Sequence, residues 1–190
     1  MEKELEFNSN GLLPAGDYPM TLAQLADSIL VDKPFYGRSD GWEGKHRKEL
    51  VSNLSVIVKQ LWNEGFYELF IDGSFATDKL KPGDIDGYFV TEKPADMLDS
   101  DFNESLCERL NKHDPKKVWT WKDSARKKPA DAEKGQLPMW WEYKVEFWPH
   151  YGQSSGIFNP NTGKFLDHAE LFRIVKGTWQ EKGIIKILKD

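Results

Sequence analysis

The sequence predicts an α+β fold, with a small mixed, mostly antiparallel sheet flanked by helices. Three observations lead there. Short branched and aromatic runs at residues 66–71, 84–90 and 183–188 read as strands. Helical segments are mixed among them without the regular βαβ rhythm of a doubly wound parallel sheet. The composition is that of a folded domain: 39% apolar and 30% charged over 190 residues, long enough for one real core. The chain therefore reads as a single domain, with an N-terminal arm at 1–18 and a basic excursion at 112–138.

The elements follow in order. Asn10-Gly11-Leu12-Leu13-Pro14-Ala15-Gly16-Asp17 is rich in turn residues and reads as an arm laid over the body. Thr21 is placed to cap a short helix over 22–30. Residues 33–44 return to loop composition with Pro34, Gly37, Gly41 and Gly44. The clearest helix spans 45–63, where Leu50, Leu54, Ile57 and Leu61 share one face and Gly65 suits a C-terminal cap. The strand at 66–71 runs into Asp72-Gly73-Ser74-Phe75, and a loop with Pro82-Gly83 leads to the strand at 84–90. Helical character returns at 103–112. A third strand is expected at 139–148, a turn at Asn159-Pro160-Asn161-Thr162-Gly163, a helix at 165–176 and a closing strand at 183–188.

Composition also bounds the partners. A formal net charge of −5 gives no global attraction for nucleic acid, so any such contact needs a local basic patch. Residues 112–134 supply one candidate, with seven Lys and one Arg against four acids and with Trp119 and Trp121 among them. Basic groups contact phosphates and rings stack on bases, so an RNA acceptor such as tRNA is one reading of this stretch. A solvated, flexible loop is the other. Cys107 is the one cysteine, which excludes an internal disulfide and a cysteine-based zinc site. The opening Met1-Glu2-Lys3-Glu4-Leu5-Glu6-Phe7 has no signal-peptide apolar core, and no apolar run reaches membrane-spanning length. A cytoplasmic protein without membrane contact is expected.

The chemistry concentrates between residues 71 and 86. A strand ends in Gly73-Ser74, where glycine permits close backbone approach to a phosphate and the serine hydroxyl can face it. Nine residues later comes Asp84-Ile85-Asp86. Strand alternation puts both carboxylates on one face and Ile85 in the core. Two such carboxylates repel unless a cation sits between them, and hard divalent ions suit oxygen ligands. Lys79, in the intervening loop, is within plausible reach of a triphosphate. The helix start Lys45-His46-Arg47-Lys48 is basic against the local dipole, which nominates Arg47 as an anion contact.

This arrangement resembles the nucleotidyltransferase superfamily typified by DNA polymerase β: a strand, Gly-Ser, a short spacer, then an apolar-flanked Asp-x-Asp. The departure is Gly87, where that pattern carries an apolar residue. The whole chain is also similar to small bacterial nucleotidyltransferase-like proteins in Gly11-Leu12-Leu13-Pro14, in the Asp72 to Asp86 core and in Lys182-Gly183-Ile184-Ile185. The resemblance implies a nucleotidyltransferase fold that binds Mg²⁺ or Mn²⁺, two ions in all, through Asp84, Asp86 and a third acid. In Trp141-Glu142-Tyr143-Lys144-Val145-Glu146-Phe147-Trp148, alternation would place Glu142, Lys144 and Glu146 on one face. Glu146, between apolar neighbours, is the expected third acid, with Glu142 as fallback. The nucleotide would be held by Gly73, Ser74, Lys79 and Arg47. The implied reaction moves an NMP from an NTP to an acceptor hydroxyl on RNA, protein or a small molecule. An inactive nucleotide- or partner-binding module and a metal-dependent nuclease remain the alternatives.

Overall fold

In the computed structural model, residues 5–32, 41–130 and 134–189 are described. The sheet is organised around one helix. Leu50, Leu54, Ile57 and Leu61 lie on the buried face of α2 (Gly44–Asn63) and pack on the inward residues of the sheet. Those partners are Leu69 and Ile71 of β2 (Leu69–Asp72), Ile85 and Phe89 of β3 (Ile85–Val90), and Ile185 and Ile187 of β7 (Gly183–Leu188). Burying a Leu or Ile side chain is worth about 1.5–3 kcal/mol, so this interface contributes substantially to the stability of the chain.

Two further strands complete the sheet. β1 (Gly16–Thr21) and β4 (Val145–His150) stand at its edges, in the order β1-β7-β2-β3-β4. The central ladders, β7–β2 and β2–β3, are antiparallel, and each edge strand pairs parallel to its neighbour. A separate hairpin, β5 (Ser154–Asn159) with β6 (Lys164–Asp167), closes around the expected turn at 159–163. The sheets are mixed and, over all five ladders, mostly antiparallel. Helix α1 (Leu22–Ala26) starts at a capping box in which Thr21 and Gln24 exchange side chain–backbone hydrogen bonds. Helices α3 (Asp99–Leu110), α4 (Pro138–Tyr143) and α5 (His168–Phe172) complete the set. No helix among the described residues is long and apolar enough to cross a membrane.

Several expectations are corrected. The arm does not end as a cover: residues 16–21 form an edge strand, and Leu13, Tyr18 and Met20 are buried. The stretch 139–148 is not one strand. Pro138 occupies the first turn of α4, where its fixed φ and missing N–H suit a helix start. Lys144 then takes a left-handed conformation (φ 53°) that ends the helix, and the strand begins only at Val145. Of 165–176, only His168–Phe172 is helical, after the Asp167–Glu170 capping box, and residues 164–167 are strand. Trp119 and Trp121 are each anchored to the body by an indole hydrogen bond. Trp119 is 1% exposed and donates from Nε1 to Gln60 at 2.6 Å, and half-buried Trp121 donates to the Phe147 carbonyl at 2.7 Å. Both also line a cleft of about 420 Å³ with Thr120 and Lys122. Within the same excursion, Lys116 pairs with Glu142 (3.6 Å) and Lys122 with Glu104 (2.7 Å). The loop reading of 33–44 falls partly on residues 33–40, outside the described residues.

Candidate functional site

The face of the sheet opposite α2 is thinly covered, by Ala169 and Phe172 of α5 over Phe70, Tyr88 and Ile184. One end of this face carries the acids. Asp72 pairs in register with Asp86 across β2–β3, and Asp86 with Glu146 across β3–β4. Directly opposed residues project to the same side of a sheet, so the three carboxylates form one row over three strands. Asp84 lies two residues before Asp86, just outside β3, and receives a 2.8 Å hydrogen bond from Trp140 Nε1. Ile85 between them is fully buried.

Glycine sets the shape of the row at two points. Gly73 has φ +75°, and a Cβ there would come within 2.4 Å of Asp86 Oδ2. Any other residue would press on the carboxylate. At Gly87 a Cβ would lie 2.6 Å from the Phe70 carbonyl oxygen and 2.7 Å from the Phe147 ring. Phe147 thus fills the space that the side chain of an apolar residue at 87 would take, which accounts for the departure from the resembled pattern.

The electrostatics follow from burial. The Asp86 carboxyl is pushed up to about 7, first by desolvation and then by Asp84, Glu146 and Asp72, with Lys182 opposing. Glu146, 8% exposed, is raised by burial, while the Leu137 N–H (3.2 Å) and Arg126 (3.8 Å) hold it partly down. Asp72, 2% exposed, is likewise raised by burial, and its ion pair with Lys182 and the Gly73 amide act against the shift.

A cleft of about 430 Å³ opens beside the row. Asp72, Gly73, Ser74, Asp86 and Lys182 form its polar side, and residues such as Leu171, Phe172 and Val175 form an apolar wall. Lys176 also lines it.

The expected residues divide cleanly. Asp84, Asp86 and Glu146 lie near one another at one end of the sheet, and of the expected residues Asp86, Gly73 and Ser74 line the cleft while Asp84 and Glu146 are not among its lining residues. Glu142 does not join them: it sits on α4, exposed and paired with Lys116. Lys79 is exposed and is not among the residues lining the cleft. Arg47 is corrected outright as an anion contact. It is 0% exposed, and its guanidinium donates to the carbonyls of Leu30 (2.7 Å), Phe75 (2.8 Å), Thr77 (3.1 Å) and Lys79, under the Trp42 ring at 4.0 Å. It braces the backbone that follows Gly73-Ser74 instead of meeting a ligand. Asp72, Lys176 and Lys182 are the cleft residues the sequence did not single out by role. Asp72 was visible as the residue before Gly73-Ser74, but its place in the row depends on pairing with Asp86.

The donor set suits a hard divalent cation: all are carboxylate oxygens, and Asp72 Oδ1 is buried without a hydrogen-bond partner. As the side chains stand, no three His, Cys, Asp or Glu among the described residues already converge as a metal cage.

The profile of a family of unknown function, DUF6932, matches residues 5–188, and the chain belongs to that family. No curated protein and no solved structure matches it.

Proposed function

We propose that this member of DUF6932 is a metal-dependent nucleotidyltransferase, joining the NMP of an NTP to an acceptor hydroxyl and releasing pyrophosphate. The observation that carries the reading is the carboxylate pair Asp86–Glu146 on neighbouring strands, with Asp84 close by, whose Asp86 end meets the Gly73-Ser74 turn in one cleft. Asp84, Asp86 and Glu146 would hold Mg²⁺ or Mn²⁺, which supply charge neutralisation at the reacting phosphate when bound.

The chain's own residues divide the remaining work. Gly73 lets the backbone approach phosphate oxygens, and the Ser74 hydroxyl borders the same space. Lys182 and Lys176 bring positive charge to the side of the cleft where a triphosphate would lie. The apolar wall at Leu171, Phe172 and Val175 suits a base or ribose face. In the reaction, the acceptor oxygen bonds to the α-phosphorus, the bond to the pyrophosphate oxygen breaks, and the hydroxyl proton leaves to a basic group or water. In-line positioning and electrostatics supply most of such an acceleration. The acceptor would enter from the β4 side, where Arg126 lies 3.8 Å from Glu146 and 5.7 Å from the Trp148 ring.

The test supplies each of four α-labelled NTPs, with Mg²⁺ or Mn²⁺, to protein plus cell extract. Labelled RNA, protein and small molecules are then separated. Label should reach one class, and Asp86→Asn should abolish it while the circular dichroism spectrum is unchanged. Equal transfer by that variant sinks the reading. Calorimetric NTP binding with no transfer to any fraction identifies a binding module instead.

A further inference from the structure

We infer that Asp72 is a further metal ligand and that a divalent cation binds between Asp72 Oδ1 and Asp86, beside Gly73. This rests on the transferase reading for the role of the ion but not for its binding.

Three observations support it. Asp72 is 2% exposed and lines the cleft; its Oδ2 is held by Lys182 and its Oδ1 has no hydrogen bond of ordinary geometry. A buried carboxylate oxygen without a partner is costly, more so than a neutral one. Second, because Gly73 has no side chain the Asp86 carboxylate packs against its backbone, with Oδ2 2.4 Å from where a Cβ would stand, in a cleft that Asp72, Gly73 and Asp86 all line. Third, Asp72 and Asp86 are directly opposed across β2–β3, and the Asp72 charge is one of those that oppose ionisation of Asp86. Like charges held this close are relieved by a cation between them.

A purely structural ion pair is the competing account. Buried ion pairs retained for packing alone are often replaceable by apolar residues, and such a pair has no need of an unpartnered carboxylate oxygen on a residue that lines a cleft. In the present arrangement Lys182 acts as the internal counterion that a metal would compete with.

The experiment titrates the full chain with Mn²⁺ alone, without nucleotide, and reads free Mn²⁺ by electron paramagnetic resonance. Lys182→Met removes the competing ammonium and should tighten Mn²⁺ binding several-fold. Adding Asp72→Asn to that variant removes the ligand without stranding a buried charge. It should weaken binding roughly tenfold or more relative to Lys182→Met, the scale on which site residues act on metal affinity. Equal affinity in these two variants overturns the inference, as does a wild-type chain that binds no Mn²⁺ at millimolar concentration. If the double variant does not fold, Lys182→Met still decides: unchanged or weaker binding overturns the proposal. Mn²⁺ binding that depends on Asp72 in a protein that transfers no label sinks the transferase reading and leaves this one standing.

Discussion

Asp86 sits where burial and three neighbouring acids all oppose its ionisation, and this has a consequence for stability. Its carboxyl is raised from 3.8 to about 7 in the folded chain. Below about pH 4 both folded and unfolded chains are protonated there, and the group has no effect. Between about pH 4 and 7 the unfolded chain has lost the proton and the folded chain keeps it, so stability falls as pH rises; above about 7 the loss is complete. Asp72 and Glu146 are raised in the same direction and add to the trend. The metal-free protein should therefore melt at a lower temperature at pH 8 than at pH 5. Asp86→Asn should melt higher than wild type at pH 8 and show a shallower decline, as followed by circular dichroism. Parallel curves for the two proteins would contradict the assignment. Asp84, Asp86 and Gly73 were legible in the sequence because a strand's alternation and a turn's glycine are local properties. Asp72 was not, because its role depends on Lys182, 110 residues away in the chain.

At the scale of elements, α2 does more than cover the sheet. Through Arg47 it gathers the carbonyls of Phe75, Thr77 and Lys79 behind the Gly73-Ser74 turn. Arg47→Met would remove the donor to the Phe75 carbonyl in a buried contact and to those of Thr77 and Lys79 in part-buried ones, at roughly 1–3 kcal/mol for a buried group left unsatisfied. We expect a clear loss of stability in urea and faster amide hydrogen exchange in residues 73–80, with smaller changes in β7. Exchange unchanged in 73–80 would show that the brace is dispensable. The helix itself was legible because its apolar residues repeat locally with helical spacing. Its basic first turn invited an anion, but the guanidinium found backbone oxygens from a distant loop. The failure at 139–148 has a similar origin. Glu142, Lys144 and Glu146 alternate like a strand, yet Pro138 starts a helical turn and Lys144 stops it. Pro138 was the signal in the sequence, but the apolar run after it outweighed it. The turn at 159–163 was readable from its own residues, while the strands flanking it are short and lack a strong alternation.

For the whole molecule, the N-terminal strand is part of the fold and not an ornament. Leu13, Tyr18 and Met20 are buried, and β1 covers the outer edge of β7. Removing residues 1–21 forfeits roughly 5–9 kcal/mol of apolar burial, at about 1.5–3 kcal/mol per side chain, which rivals the stability of a typical domain. It also bares the edge of an isoleucine-rich strand to other chains. The truncated protein should show no cooperative thermal transition and should elute as aggregate in size-exclusion chromatography; a sharp melt from a monomer would refute this. The α+β class was legible from the succession of segments, but the strand order was not, since pairing partners are set by contacts between distant residues. That order carries a temporal consequence. β7, from residues 183–188, lies between β1 and β2. As the chain emerges from a ribosome, β1 and β2 are made more than a hundred residues before the strand that joins them. The sheet can close only after β7 has been synthesised, and until then the apolar face of α2 has to wait for Ile185 and Ile187, exposed to chaperones and to its own kind.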